Sequence, residues 1–206
     1  MGPKVLHIIE RLAALALLVV LAPLFAVLSV VLLVAQGRPI FFSQERAGLG
    51  GATFSIHKFR TMAHNASNES HAARVTLPGR ILRRLGLDEL PQLVNIVLGE
   101  MSFIGPRPTL PEQVERYGHY ERRRLNTRPG ITGWAQVHGR NSIPWTIRIL
   151  LDVWYVENRT FWLDLQILWR TIGAVMSGRG VYGDGGLNPD FGIADVSRTD
   201  LPRTKR

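Results

Sequence analysis

Leu12-Ala-Ala-Leu-Ala-Leu-Leu-Val-Val-Leu-Ala-Pro-Leu-Phe-Ala-Val-Leu-Ser-Val-Val-Leu-Leu-Val-Ala35 runs for twenty-four residues without a charge. At about 1.5 Å of rise per residue, a helix of this length is long enough to cross a bilayer core of roughly 30 Å. A cleaved signal has an apolar core of only about 7–15 residues and ends at a clear small-residue site, so the stretch reads as a membrane segment rather than a signal or a buried core helix. Pro23 interrupts it. The ring removes a backbone donor and clashes with the carbonyl of Val19, at about 3 kcal/mol in an ordinary helix interior, so a bend is predicted there. Lys4 and Arg11 precede the segment, and Arg38 and Arg46 follow it. Basic flanks favour the cytoplasmic side, so both ends read as cytoplasmic. A straight span cannot meet that preference, whereas a helix broken at Pro23 that dips in and returns can, provided the freed carbonyl finds a partner. Composition alone leaves crossing and dipping both open.

Working outward, 206 residues leave room for this element and one modest domain. The expected division is a membrane helix over 1–36, a cytoplasmic domain over 37–182 and a disordered tail over 183–206, where few apolar residues occur. The chain has no cysteine, which excludes disulfides, zinc–thiolate sites and cysteine nucleophiles. Its net charge of +9 lies entirely before the tail. A basic body beside a membrane segment suits anionic lipid headgroups of the inner leaflet, each Lys or Arg adding about 1 kcal/mol, or phosphorylated substrates. No nucleic acid partner is expected.

The expected fold is mainly α with a small β-hairpin, an α+β class. Residues 39–44 and 53–59 read as two strands around a turn containing Gly48, Gly50 and Gly51. His57, His64 and His71 are spaced by sevens in a largely polar stretch, and no role is assigned to them. Leu90, Leu93, Val94, Val97 and Leu98 fall at helical spacing, with Asp88 as N-cap, Pro91 in the first turn and Gly99 as the stop. Asp88 and Glu89 read either as caps that complement the helix dipole or as functional acids. Arg107 lies between Pro106 and Pro108 on stiff backbone, which suits bidentate phosphate binding as well as it suits a structural turn. Residues 112–125 read as a charged amphipathic helix, and 128–141 as a glycine-punctuated loop of polar side chains. Helices over 147–158 and 161–176, with Trp145, Trp154, Trp162 and Trp169 along them, read as interfacial; an ordinary aromatic core is the alternative for Trp154.

Four motifs then occur in order: Lys58-Phe-Arg-Thr-Met62, Leu87-Asp-Glu-Leu-Pro-Gln92, Gly105-Pro-Arg-Pro108 and Arg128-Pro-Gly-Ile-Thr-Gly-Trp-Ala-Gln136. Together with one N-terminal apolar helix they resemble the bacterial sugar transferases of the small, monotopic phosphoglycosyl transferase form, over roughly Lys4 to Gly178. The resemblance implies transfer of a sugar 1-phosphate from a UDP-sugar to a polyprenol phosphate such as undecaprenyl phosphate, with release of UMP, at the bacterial inner membrane and facing the cytoplasm. By motif it makes Asp88 the nucleophile of a covalent phosphosugar intermediate and Glu89 a ligand of Mg²⁺. Lys58, Arg60, Arg107 and Arg140 are then expected to neutralise developing charge, and Gln136 to bind substrate. A carboxylate nucleophile splits one displacement into two, and a helix N-terminus would offer donors to phosphoryl oxygens. The resemblance also favours the re-entrant, Pro23-broken topology, although Ala22 stands where family members often carry Ser. Two other readings are a membrane-anchored lipid- or protein-binding scaffold, with Asp88 and Glu89 only as caps, and a phosphodiesterase delivering the same intermediate to water.

Overall fold

The computed structural model describes residues 3–62, 74–139 and 142–177. His64, His71, Arg140 and the tail from 183 lie outside them. The fold is mostly helical with two small two-stranded sheets. The chain divides into two compact units, 1–46 with 54–103 and 47–53 with 104–206, so the apolar N-terminal helices are not a unit of their own.

In the first unit the apolar segment forms α1 (Pro3–Val20) and α2 (Ala22–Gln36), bent by 60° at the break. No single helix among the described residues is long and apolar enough to cross a membrane. Pro23 sits in the first turn of α2, where its missing donor is harmless, so the chain bends just ahead of the ring. One face of α2 leaves the apolar surface and becomes core: Leu28 and Leu32 pack with Phe59 and Leu82. The polar end of α1 is also engaged, since Arg11 Nε donates to the Val97 carbonyl (2.7 Å) and Ser102 Oγ donates to Glu10 Oε2 (3.1 Å). Arg11, read as a membrane flank, thus caps a neighbouring helix.

The hairpin pairs β1 (Phe41–Ala47) with β2 (Thr53–Phe59). β1 starts two residues later than expected, because Pro39 has no N–H for the ladder. Alternation along β2 buries Phe54 and Ile56 on one face and Phe59 on the other. A helix absent from the sequence reading, α3 (Leu77–Leu85), follows. Its signals were present: Thr76 accepts from Gly79 N, Pro78 lies in the first turn, and Gly86 ends it in the left-handed region at φ 70°. The expected helix over 88–98 begins instead as a 3-10 turn, Leu87–Gln92, and becomes α4 (Leu93–Leu98). Asp88 does not cap it; Gly86 occupies that position, with no side-chain cap. The buried residues are Leu93, Asn95 and Ile96, while Val94 and Leu98 are exposed, because the tight first turn rotates the register.

The second unit holds α5 (Pro111–Glu115), a 3-10 turn over Glu121–Asn126, β4 (Gly130–Thr132), α6 (Trp134–Val137), α7 (Trp145–Asn158) and α8 (Phe161–Ser177). β3 (Ser102–Ile104) ends at its start. The single helix expected over 112–125 is two short pieces, because Tyr117 and Leu125 both turn into a core with Val114, Ile149 and Val153. The tryptophans separate. Trp145 packs on that core and Trp154 stacks on buried Trp134 at 5.2 Å, whereas Trp162 and Trp169 on α8 are 75% and 77% exposed. Helix α7 is therefore a core helix, and α8 alone of the two presents an apolar outer row.

Asn95, fully buried, ties α4 and the turn after it to β2: its amide donates to Ser55 O and Glu100 Oε2, both at 2.7 Å, and its oxygen accepts from His57 N at 3.2 Å. Replacing it breaks all three bonds at a fully buried position. Asn95→Ala is expected to lower unfolding free energy by about 2–4 kcal/mol, measured by denaturant unfolding in detergent; a loss within error would remove Asn95 as the tie.

Candidate active site

Alternation places Lys58 on the Ile56 face of β2, opposite Phe59, whose ring is held by Phe25 and Phe41 at 5.4 and 5.2 Å. The 3-10 turn brings Glu89 to it. Lys58 Nζ lies 2.7 Å from Glu89 Oε1, and both side chains are less than one-fifth exposed. Three residues per turn separate neighbouring side chains by about 120°, so Asp88 and Glu89 project in different directions. The turn is anchored behind them by buried Pro91 and Gln92. Arg60, expected at the substrate, is buried instead: Nη2 donates to the carbonyls of Gln36 (3.2 Å) and Gly37 (3.1 Å), tying β2 to the end of α2. Gln36 returns the bond to the Arg60 carbonyl. The structure thus brings Lys58 and Glu89 together beside Asp88 in the first unit.

Arg107 and Gln136 belong to the second unit. Their loops meet backbone to backbone. A Cβ on Gly105 would lie 2.3 Å from the Arg128 carbonyl, and one on Gly130 would lie 2.1 Å from Gly105 N, so only glycine fits at either position. Gly105 N donates to Thr132 O (2.9 Å) and Gly130 N to Pro106 O (3.0 Å). This contact explains why the Gly-Pro-Arg-Pro and Arg-Pro-Gly-Ile-Thr-Gly motifs occur together. Gln136 turns its amide inward against Gly133, where both polar atoms are buried and have no partner among the described residues.

A buried cation fixes the Arg107 carbonyl. Arg124 Nη2 donates to it at 2.9 Å and also to Asp152 Oδ2, while Nη1 donates to Tyr117 Oη at 2.6 Å. Burial alone would lower the Arg124 guanidinium; Asp152 and Tyr117 hold it above its ordinary value. Burial pushes the Asp152 carboxyl up to about 6 against the pull of Arg124, Arg148 and Arg107. The sequence reading missed this group. Asp152 was detectable as a lone charge in the run Ile149-Leu-Leu-Asp-Val153, whereas nothing distinguishes Arg124 from Arg122 and Arg123 beside it.

With this geometry in place, comparison with known proteins gives a consistent result. Residues 4–178 match the bacterial sugar transferase family. An uncharacterized sugar transferase, EpsL, of Bacillus subtilis is 45% identical over 70% of this chain and 74% of its own. The exopolysaccharide production protein ExoY of Sinorhizobium fredii is 38% identical over 84% of this chain and 86% of its own. The undecaprenyl-phosphate galactose phosphotransferase of Salmonella typhimurium is 36% identical over 71% of this chain, a region that makes up 35% of that longer protein. The chain belongs to the bacterial sugar transferase family. It is an enzyme, a phosphoglycosyl transferase.

Asp152 gives a pH test. Between its ordinary value of 3.8 and about 6 the folded chain keeps a proton that the unfolded chain has released. Its contribution to stability is therefore fully present below 3.8 and lost as pH rises through about 6. From acid to neutral pH, wild type is expected to lose about 1–3 kcal/mol relative to Asp152→Asn. Unfolding curves of both at each pH check this; parallel pH profiles would refute it.

Proposed function

We propose that the chain transfers a sugar 1-phosphate from a UDP-sugar to undecaprenyl phosphate, releasing UMP, as the first membrane step of a surface glycan pathway. The acceptor is supported by relatives named undecaprenyl-phosphate galactose and glucose phosphotransferases, and the pathway by relatives named for exopolysaccharide production. The single observation that carries the chemistry is the 2.7 Å Lys58–Glu89 contact next to Asp88 on a rigid turn. In this reading an Asp88 carboxylate oxygen attacks the phosphorus that bears the sugar. The bond from that phosphorus to the bridging oxygen breaks, and UMP leaves with the oxygen. A phosphate oxygen of the lipid then attacks the same phosphorus, the acyl phosphate bond breaks, and Asp88 returns as a carboxylate.

Lys58 holds Glu89 in place by its ammonium. Mg²⁺ takes one or two carboxylates and fills its shell with phosphate oxygens and water. Glu89 is the residue that would hold it, and the ion would supply positive charge to the phosphates. Arg107 and Arg140 are the proposed phosphate cations, and Arg60 the tie that positions the Lys58 strand. The bent α1–α2 pair is proposed as a re-entrant element, with the catalytic residues facing the cytoplasm at the bacterial inner membrane. The 60° bend and the apolar outer surface of both helices support it.

Enzyme given UDP-sugar and Mg²⁺ without acceptor should gain one sugar phosphate on the peptide holding Asp88, and should exchange labelled UMP into UDP-sugar. Asp88→Asn should do neither, and Glu89→Gln should form the adduct more slowly with a higher Mg²⁺ requirement. Product formation by Asp88→Asn near the wild-type rate would point to direct attack by the acceptor. The topology is tested with single cysteines at positions 4 and 40 of this cysteine-free chain. Both should escape an impermeant thiol reagent in sealed cells; labelling of position 4 from outside would make the segment a span.

A further inference from the structure

Helix α8 has an outer row at helical spacing, Trp162, Leu165, Trp169, Ile172 and Met176, all exposed. Toward its C-terminal half the row borders a cavity of about 780 Å³ within the second unit, between α8 and the segment after α6. The volume falls in the range of about 300–1,000 Å³ typical of sites for small organic ligands. Its lining is largely apolar, with Trp169, Ile172, Ala174 and Met176, while Gln136, Ser142 and Ser177 add polar groups.

Arg170 and His138 also line it. His138 Nδ1 lies 2.7 Å from the Trp134 carbonyl, which makes Nδ1 the protonated nitrogen and leaves Nε2 to accept from Arg170 Nη1 at 3.0 Å. Burial first, then the Arg170 charge, lower the His138 pKa, in keeping with a neutral ring. The guanidinium also lies 5.2 Å from the centre of the Trp134 ring. Arg170 is thus held by a neutral acceptor and an aromatic face, and among the described residues no acidic side chain lines the cavity. A cation held by His138 and the Trp134 ring, beside an apolar wall that continues into the exposed row of α8, selects an anionic amphiphile. A nucleotide sugar would instead need polar partners along most of its length.

We propose that this cavity is the acceptor site: Arg170 binds the phosphate of a polyprenyl phosphate, and Trp169, Ile172 and Met176 line the path of its first isoprene units. The inference rests on the reading of the acceptor as a lipid phosphate. The remaining chain would follow the exposed row of α8 into lipid. Gly173 gives a direct test, since it lines the cavity and a Cβ there meets nothing within 4 Å.

The full chain in lipid nanodiscs is photolabelled with farnesyl phosphate carrying a diazirine at the chain end, and the adducts are mapped by mass spectrometry. Labelling is expected within residues 169–177, competed by undecaprenyl phosphate and not by UDP-sugar. Arg170→Gln, or the matching farnesol probe without phosphate, should reduce it about ten-fold, the loss of one charge-assisted contact. Gly173→Leu should reduce it as far and raise the KM for undecaprenyl phosphate, while UMP exchange into UDP-sugar persists. If Gly173→Leu fails to fold, the Arg170→Gln and farnesol arms decide. Labelling elsewhere, competition by UDP-sugar, or indifference to both substitutions would overturn the site. Transfer that remains intact with labels elsewhere defeats this inference alone; labelling here without any transfer to undecaprenyl phosphate defeats the proposed reaction and leaves the lipid-phosphate site standing.

Discussion

The packing of Leu28 and Leu32 against Phe59 and Leu82 is the contact on which the first unit depends. It gives one helix two different faces. The outer face of α2 keeps Val27, Val30, Val31 and Val34 exposed, while the inner face completes a protein core. Because Phe59 and Lys58 lie on opposite faces of the same strand, fixing the first from behind also fixes the second in front. Arg60 secures the same strand at its end through the carbonyls of Gln36 and Gly37. The position of the Lys58–Glu89 pair is thereby set by the segment that meets the bilayer in the proposed topology.

The second unit solves a different problem, that of holding an arginine on a loop. Prolines on either side restrict φ, but restriction alone does not place a loop in space. Two glycines let the backbones of Gly105–Pro106 and Gly130–Thr132 approach until they exchange hydrogen bonds, and the Arg124–Asp152 pair fixes the Arg107 carbonyl from the interior. A buried ion pair of this kind gains little net stability, because desolvation offsets much of its attraction. Its contribution here is geometric: Arg124 has several donors in one plane and spends them on Asp152, Tyr117 and Arg107.

The sequence by itself determined the elements whose cause is local. The bend near Pro23 follows from the proline ring, the hairpin from two strand-like runs around a glycine turn, and the family from four ordered motifs. Tertiary structure decided what depends on partners distant in the chain. It made Arg60 a buried tie, Arg11 a helix cap, Trp134 and Trp154 a stacked pair, and Asn95, Arg124 and Asp152 buried hubs. It also turned the expected Asp88 cap into a member of a 3-10 turn, because Gly86 ends one helix in the left-handed region immediately before the next begins. Periodicity records which side of an element is apolar; it does not record which neighbour will cover that side, or which of several equal charges will be enclosed when it does.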